Sequence, residues 1–245
     1  MQNQLSYPPR LKALLAEIES TEQISSQLLI RILKSYDLKA DDFAEFTDFG
    51  HDPLHSYGRT KLHTGKNFVM YLMSWAHNDF TAIHNHGLTD WGAVVFLEDV
   101  DHRLYTLEDN HLLLAARTSI PMGTMVPVKG DLIHSTGNNA EKPSMSLHIY
   151  GSHLPLGVPN NPSRVYEPEK KRVRITSGAA FLNGTENLSE PEPGITTDEA
   201  TLLDYMNMVL PYYEKNRESD MVSYIKSVIR DPAIYFAHLA GLPKS

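Results

Sequence analysis

The sequence predicts a mainly β protein flanked by helices: a small antiparallel β-barrel or sandwich over about residues 68–177, helices before it and a helical extension after it. Three observations carry this expectation. Six short apolar runs separated by turn residues lie between Phe68 and Ser177. Apolar residues recur at helical spacing from Pro9 to about Phe46, and again after Thr197. Hydrophobic residues make up 41% and charged residues 21% of 245 residues, an ordinary globular usage that excludes global disorder.

Leu11, Leu14, Leu15 and Ile18 form one helical stripe, and Leu28, Leu29, Ile32 and Leu33 a second after Thr21. The predicted strands are FVMYLMSW, GAVVFLEDV, LLLAARTSI, GTMVPV, SMSLHIYG and RVRITS. Residues 154–169 are rich in Pro and Asn, and FLNGTENLSEPEPG reads as a loop or linker. Beyond it Thr197 is expected to cap an acidic first turn, Asp198 and Glu199. Leu202, Leu203, Met206, Val209 and Leu210 then make an amphipathic helix that should stop at Pro211, and a further helix from about Asp220 carries Val222, Ile225, Val228 and Ile229. The chain thus divides into residues 1–177 and an extension, 178–245, that covers the barrel or joins copies of the chain into a homo-oligomer.

Lys+Arg 22 against Asp+Glu 30 gives a net charge of −8, which argues against a general affinity for nucleic acid or anionic membranes. The absence of cysteine excludes disulfides, thiolate zinc sites, iron–sulfur clusters and cysteine nucleophiles. No apolar run approaches the ~20 residues of a bilayer-spanning helix, and the start MQNQLSYPPR lacks the charged-then-apolar order of a signal peptide, so a cytoplasmic location is expected. There is no G-x-S-x-G elbow, and Gly65-Lys66 lacks the upstream glycine of a phosphate loop.

The placement of the histidines carries more. In TAIHNHGLTDWG, His84 and His86 are two apart on a predicted strand, so their rings share a face. His134 follows a Gly-Asp turn in VKGDLIHSTGNN, and a barrel can bring it beside the pair to complete a three-nitrogen face with open positions. Neutral imidazoles suit iron, copper, zinc or nickel rather than magnesium or calcium. In SMSLHIY, alternation sets Ser144, Ser146, His148 and Tyr150 on one face, opposite Met145, Leu147 and Ile149. Such a row either faces water on a half-exposed strand or, if buried, bonds within itself, Ser146 fixing His148 and His148 holding Tyr150.

HNHGLTDWGAVVFLE, GDLIHSTGN and SLHIYG, preceded by SYGRTKLHTGKNFVMYLMSW, resemble the cysteine dioxygenase branch of the cupin superfamily, over about residues 10–177. The resemblance implies a cupin-type small antiparallel barrel, or jelly roll, that binds one Fe(II) through His84, His86 and His134. It further implies a supporting triad of Ser146, His148 and Tyr150, with Arg59 of the Y-x-R, beside Tyr57, holding the substrate carboxylate. The implied activity is oxidation of a small thiol with O2 to a sulfinic acid, and Arg59 tilts the substrate toward cysteine or a similar amino thiol. The cysteine–tyrosine crosslink of mammalian members is impossible here, since Trp91 and Gly92 stand near that position. Asp90, four residues after His86, leaves open a cupin oxygenase with a fourth, carboxylate ligand and a non-thiol substrate. A non-catalytic, metabolite-binding cupin is the other alternative.

Overall fold

The computed structural model describes residues 7–154, 159–190 and 192–240. The chain start read for a signal peptide (1–6) and residues 155–158 of the Pro/Asn-rich stretch lie outside them. Two helices open the chain, α1 (Pro9–Ser20) and α2 (Ser26–Tyr36), the second capped by Ser25, whose side chain accepts from the Leu28 N–H. A first sheet combines β1 (Gly58–Thr64), β2 (Phe68–Trp75), β5 (Trp91–Phe96), β8 (Met125–Pro127) and β10 (Ser144–Gly151), in the order β1-β2-β10-β5-β8. The second sheet holds β3 (Asp79–Phe80), β4 (Ile83–His84), β6 (Val100–Glu108), β7 (His111–Ile120), β9 (Ile133–Asn138), β11 (Ser163–Glu167), β12 (Arg172–Thr176), β13 (Glu192–Pro193) and β14 (Thr196–Thr197). Its order is β13-β12-β11-β4-β9-β6-β7-β14, with β3 on β9. Three helices close the chain: α3 (Glu199–Lys215), α4 (Ser219–Arg230) and α5 (Ala233–Ala240).

The molecule is the mainly β, helix-flanked barrel expected from the sequence, built as layers. Leu11, Leu14, Leu29 and Leu33 of the first helices cover the outer face of the first sheet through Met70, Leu72, Ala93, Leu147 and Ile149. Between the sheets lie Val69, Trp75, Val94, Phe96, Val128 and Tyr150. On the far side Leu202, Tyr205, Met206 and Val209 of α3 pack on Ile83, Tyr105, Leu112, Val165 and Val173 of the second sheet. Both faces of β2 and β10 are therefore covered, and every residue of each is buried, which is why β2 is written as an unbroken apolar run.

The structure departs from the sequence reading at His86, which lies beyond the end of β4, at Glu192–Pro193 of the expected loop, which pairs with β12, and in α3. The cap of α3 is Asp198, which accepts from the Thr201 N–H at 2.8 Å, while Thr197 belongs to β14. The helix also runs through Pro211 to Lys215. Proline removes one helical hydrogen bond there, but Tyr212 and Tyr213 in the turn beyond are anchored, donating to the Leu54 carbonyl and to Glu169 Oε1. Of the two readings left open for β10, the buried one is found: Ser144, Ser146, His148 and Tyr150 are all buried. Among the described residues no helix is long and apolar enough to cross a membrane.

Candidate metal centre

His84 ends β4, His134 lies on β9, and the two are direct cross-strand partners in an antiparallel pair. Residues opposite one another in such a pair present their side chains to the same face; His86, expected on the same strand, lies beyond the end of β4, its N–H donating to the Gly130 carbonyl, and its ring still meets the other two. The three rings accordingly meet, with centroids 4.7 to 4.9 Å apart. One nitrogen from each lies within 4.8 Å of the others, and His86 Nε2 is 2.8 Å from His134 Nε2. Among the described residues this is the one group of three or more potential ligands that converges in this way.

Hydrogen bonds decide which nitrogen of each ring is available. His84 Nδ1 faces the Ala82 carbonyl at 2.9 Å and His86 Nδ1 faces Asn160 Oδ1 at 3.1 Å. Both partners are acceptors, so both Nδ1 atoms carry protons and both Nε2 atoms present lone pairs. His134 Nδ1 faces His102 Nε2 at 2.9 Å, which lets His134 donate to His102 and turn its own Nε2 inward. The donor set therefore fits a nitrogen-preferring divalent metal: three buried, neutral imidazoles oriented from behind.

Burial keeps them neutral. It pushes His84 down to about 4, and holds His86 and His134 well below the ordinary imidazole value, reinforced by the neighbouring histidines. It pushes His102 down to about 4 as well. A histidine whose folded pKa lies below its unfolded value stabilises the protein above about 6.5, and that contribution is lost as pH falls toward the folded value. Charging a group displaced from 6.5 to about 4 costs on the order of 3 kcal/mol. The denaturation midpoint of the metal-free protein should thus hold above pH 7 and fall steeply between pH 6.5 and 4; a midpoint flat across that window would contradict the buried neutral cluster.

Beside the cluster runs a chain of hydrogen bonds along β10. Trp75 Nε1 donates to Ser146 Oγ at 3.0 Å, Ser146 Oγ meets His148 Nε2 at 2.7 Å, and His148 Nδ1 meets the Tyr150 hydroxyl at 2.8 Å. An indole N–H can only donate, so Ser146 accepts from it and gives its own proton to His148 Nε2. His148 then carries its proton on Nδ1 and donates to the Tyr150 oxygen, which leaves the phenolic proton free to point into the site. Burial pushes His148 down to about 3 and raises Tyr150, so both are neutral. The Tyr150 ring lies 5.0 Å from that of His86.

Arg59 enters from β1, the edge strand, in register with Met73 of β2, itself opposite Ser146. Its guanidinium stacks 3.7 Å over the Tyr71 ring, and its buried Nε has no hydrogen-bond partner within the protein. An unpaired buried donor on a cation is costly, and a ligand carboxylate would satisfy it. Tyr57, by contrast, is fully buried: its hydroxyl accepts from the Ala180 N–H, and its ring lies against Trp75 and Phe181. It supports the indole that begins the hydroxyl chain. The Asp90 carboxylate points elsewhere, exposed and accepting from Ser152 Oγ and the His153 N–H at 2.9 and 2.7 Å, so it joins the end of β10 to the turn before β5 and is not a fourth ligand.

Two residues of the site escape a reading of motifs. His102 sits on β6, opposite Thr136, and reading VDHRLYTLE as a strand adjacent to β9 would have exposed it. Asn160 lies in an irregular loop with φ of 67°, where no periodic signal exists.

No protein-family model matches the chain, and no curated protein sequence matches it. Solved structures do. A Klebsiella pneumoniae protein with a double-stranded β-helix domain aligns at 12% identity and a TM-score of 0.35, over 44% of this chain and 84% of its own. A recombinant oxalate oxidase in complex with glycolate aligns at 13% identity and a TM-score of 0.37, over 44% of this chain and 57% of its own. A sugar phosphate isomerase of the cupin superfamily from Silicibacter pomeroyi aligns at 15% identity and a TM-score of 0.38, over 56% of this chain and 83% of its own.

Proposed function

We propose that the protein is an iron-dependent thiol dioxygenase of the cysteine dioxygenase type, oxidising cysteine or a similar amino thiol with O2 to a sulfinic acid. The observation that carries this reading is the pairing of an all-histidine, carboxylate-free cluster with a buried Ser146–His148–Tyr150 chain that ends against it. Three neutral ligands leave a divalent ion its full positive charge and open positions. Bound iron supplies the redox chemistry with O2 and favours the thiolate over the thiol of the substrate.

The residues of the chain have positional tasks in this scheme. Arg59 pairs with the substrate carboxylate through its unpartnered Nε, its plane fixed by Tyr71. Tyr150, kept protonated by burial and aimed by His148, donates a hydrogen bond to the reacting groups and holds them in attack geometry. Ser146 fixes the tautomer of His148, and Trp75 fixes Ser146.

Metal analysis combined with oxygen-electrode assays against cysteine, cysteamine and 3-mercaptopropionate tests the reading. Thiol-dependent O2 uptake with sulfinate as product supports it; bound metal without thiol turnover would refute it. The Arg59→Ala variant should keep its metal and raise KM roughly 10- to 100-fold, the loss of one charge-assisted carboxylate contact. If its kinetics match those of the unaltered enzyme, Arg59 does not hold the carboxylate.

A further inference from the structure

Across the inner face of the first sheet, the rows read in register. Arg59 stands opposite Met73, Met73 opposite Ser146, and Ser146 opposite Phe96; in the next inward-facing row Tyr71, His148, Val94 and Val126 follow one another. The strand that carries Ser146, His148 and Tyr150 therefore divides this face. On the β1 and β2 side stands a cation, on the β5 and β8 side only apolar side chains.

That second side is hollow. A cavity of about 190 Å³ lies there, walled by Val94, Phe96, Ile120, Val126, Val128 and Leu132. His134 of the metal cluster and His148 of the hydroxyl chain close its inner end. Ile120, Val126 and Leu132 are only half buried, so the cavity opens outward from the reacting centre. His102 and Thr136 add polar groups to its lining, but the rest of the wall is apolar and offers water little. A three-carbon thiol with its sulfur at the histidines and its carboxylate on Arg59 has no group to place in it.

We propose that this cavity takes an apolar substituent borne on the sulfur-bearing carbon of the substrate, which makes the preferred substrate a thiol carboxylate with a short alkyl branch. The inference rests on the thiol dioxygenase reading and specifies its substrate class. Carboxylate, thiol and alkyl group then point to three different places: Arg59, the three histidines, and the Val94 and Val126 wall.

The test compares cysteine with 2-amino-3-mercaptohexanoate, which adds only a propyl group to the sulfur-bearing carbon. Dissociation constants are measured by calorimetry on the iron-loaded protein without O2. Each buried methylene strengthens binding about fourfold, so the propyl compound should bind at least tenfold more tightly. Val126→Phe and Leu132→Phe, two independent ways of filling the cavity from its rim, should erase that advantage and leave the constant for cysteine unchanged. Equal affinity of the two thiols, or an advantage that survives in whichever filled variant folds, overturns the inference and leaves the thiol reading standing. Failure of both thiols to bind the iron-loaded protein removes the thiol reading, and this inference with it.

Discussion

Replacing His134 by alanine is expected to strip the metal from the protein and abolish thiol-dependent O2 uptake. The ring supplies one of three donors, its Nε2 only 2.8 Å from that of His86. Loss of a hydrogen bond behind a metal-bound histidine costs 10- to 100-fold in affinity, and loss of the donor itself should exceed the ~100-fold end of that range. The backbone of residue 134 pairs with Leu104 and His84 whatever its side chain, so the variant should fold. Metal content by elemental analysis and oxygen consumption check the prediction together. A His134→Ala protein that retains stoichiometric iron would show that the three rings do not form the site.

The second large effect is on stability and reaches the site indirectly. Glu167, at the end of β11, is fully buried and accepts from Arg172 Nε at 2.7 Å and Arg174 Nε at 3.1 Å, with Lys170 Nζ at 3.4 Å. Arg174 is itself buried, its Nη1 and Nη2 donating to the Glu186 and Phe181 carbonyls. Glu167→Ala removes the carboxylate with which all three cations pair and should cost ~3–5 kcal/mol, as breaking a buried pair from one side does. For a chain of this size that lowers Tm by roughly 10 °C. Because β11 pairs with β4 through Val165 and His84, metal retention on warming should fall alongside. A Tm unchanged on calorimetry would mean that water already screens the cluster.

What could be read in advance follows from how each feature is encoded. β2, β5 and β10 lie under helices on one side and in the core on the other, so their apolar density is visible in the sequence. β1, an edge strand reading GRTKLHT, and the two-residue β4 have no such density, and pairing partners distant in sequence define them. SLHIY was legible because alternation along one strand suffices to align side chains; the histidine pair was legible as a motif, although His86 lies beyond the end of β4. The support from His102 and Asn160 was not, since it depends on β6 lying beside β9 and on a loop folding back over His86. Proline at 211 misled because local propensity was outweighed by tyrosines anchored to Glu169 and Leu54.

One further feature follows from six residues. Glu192–Pro193 pairs with β12 and Thr196–Thr197 with β7, so a single short stretch occupies both outer margins of the second sheet. Exposed margins of sheets recruit strands from other molecules and seed aggregates. Here the chain lays its own backbone along those margins as a short selvedge, and a protein cut before residue 192 would leave His111 and Leu112, the start of β7, open to strands from other molecules.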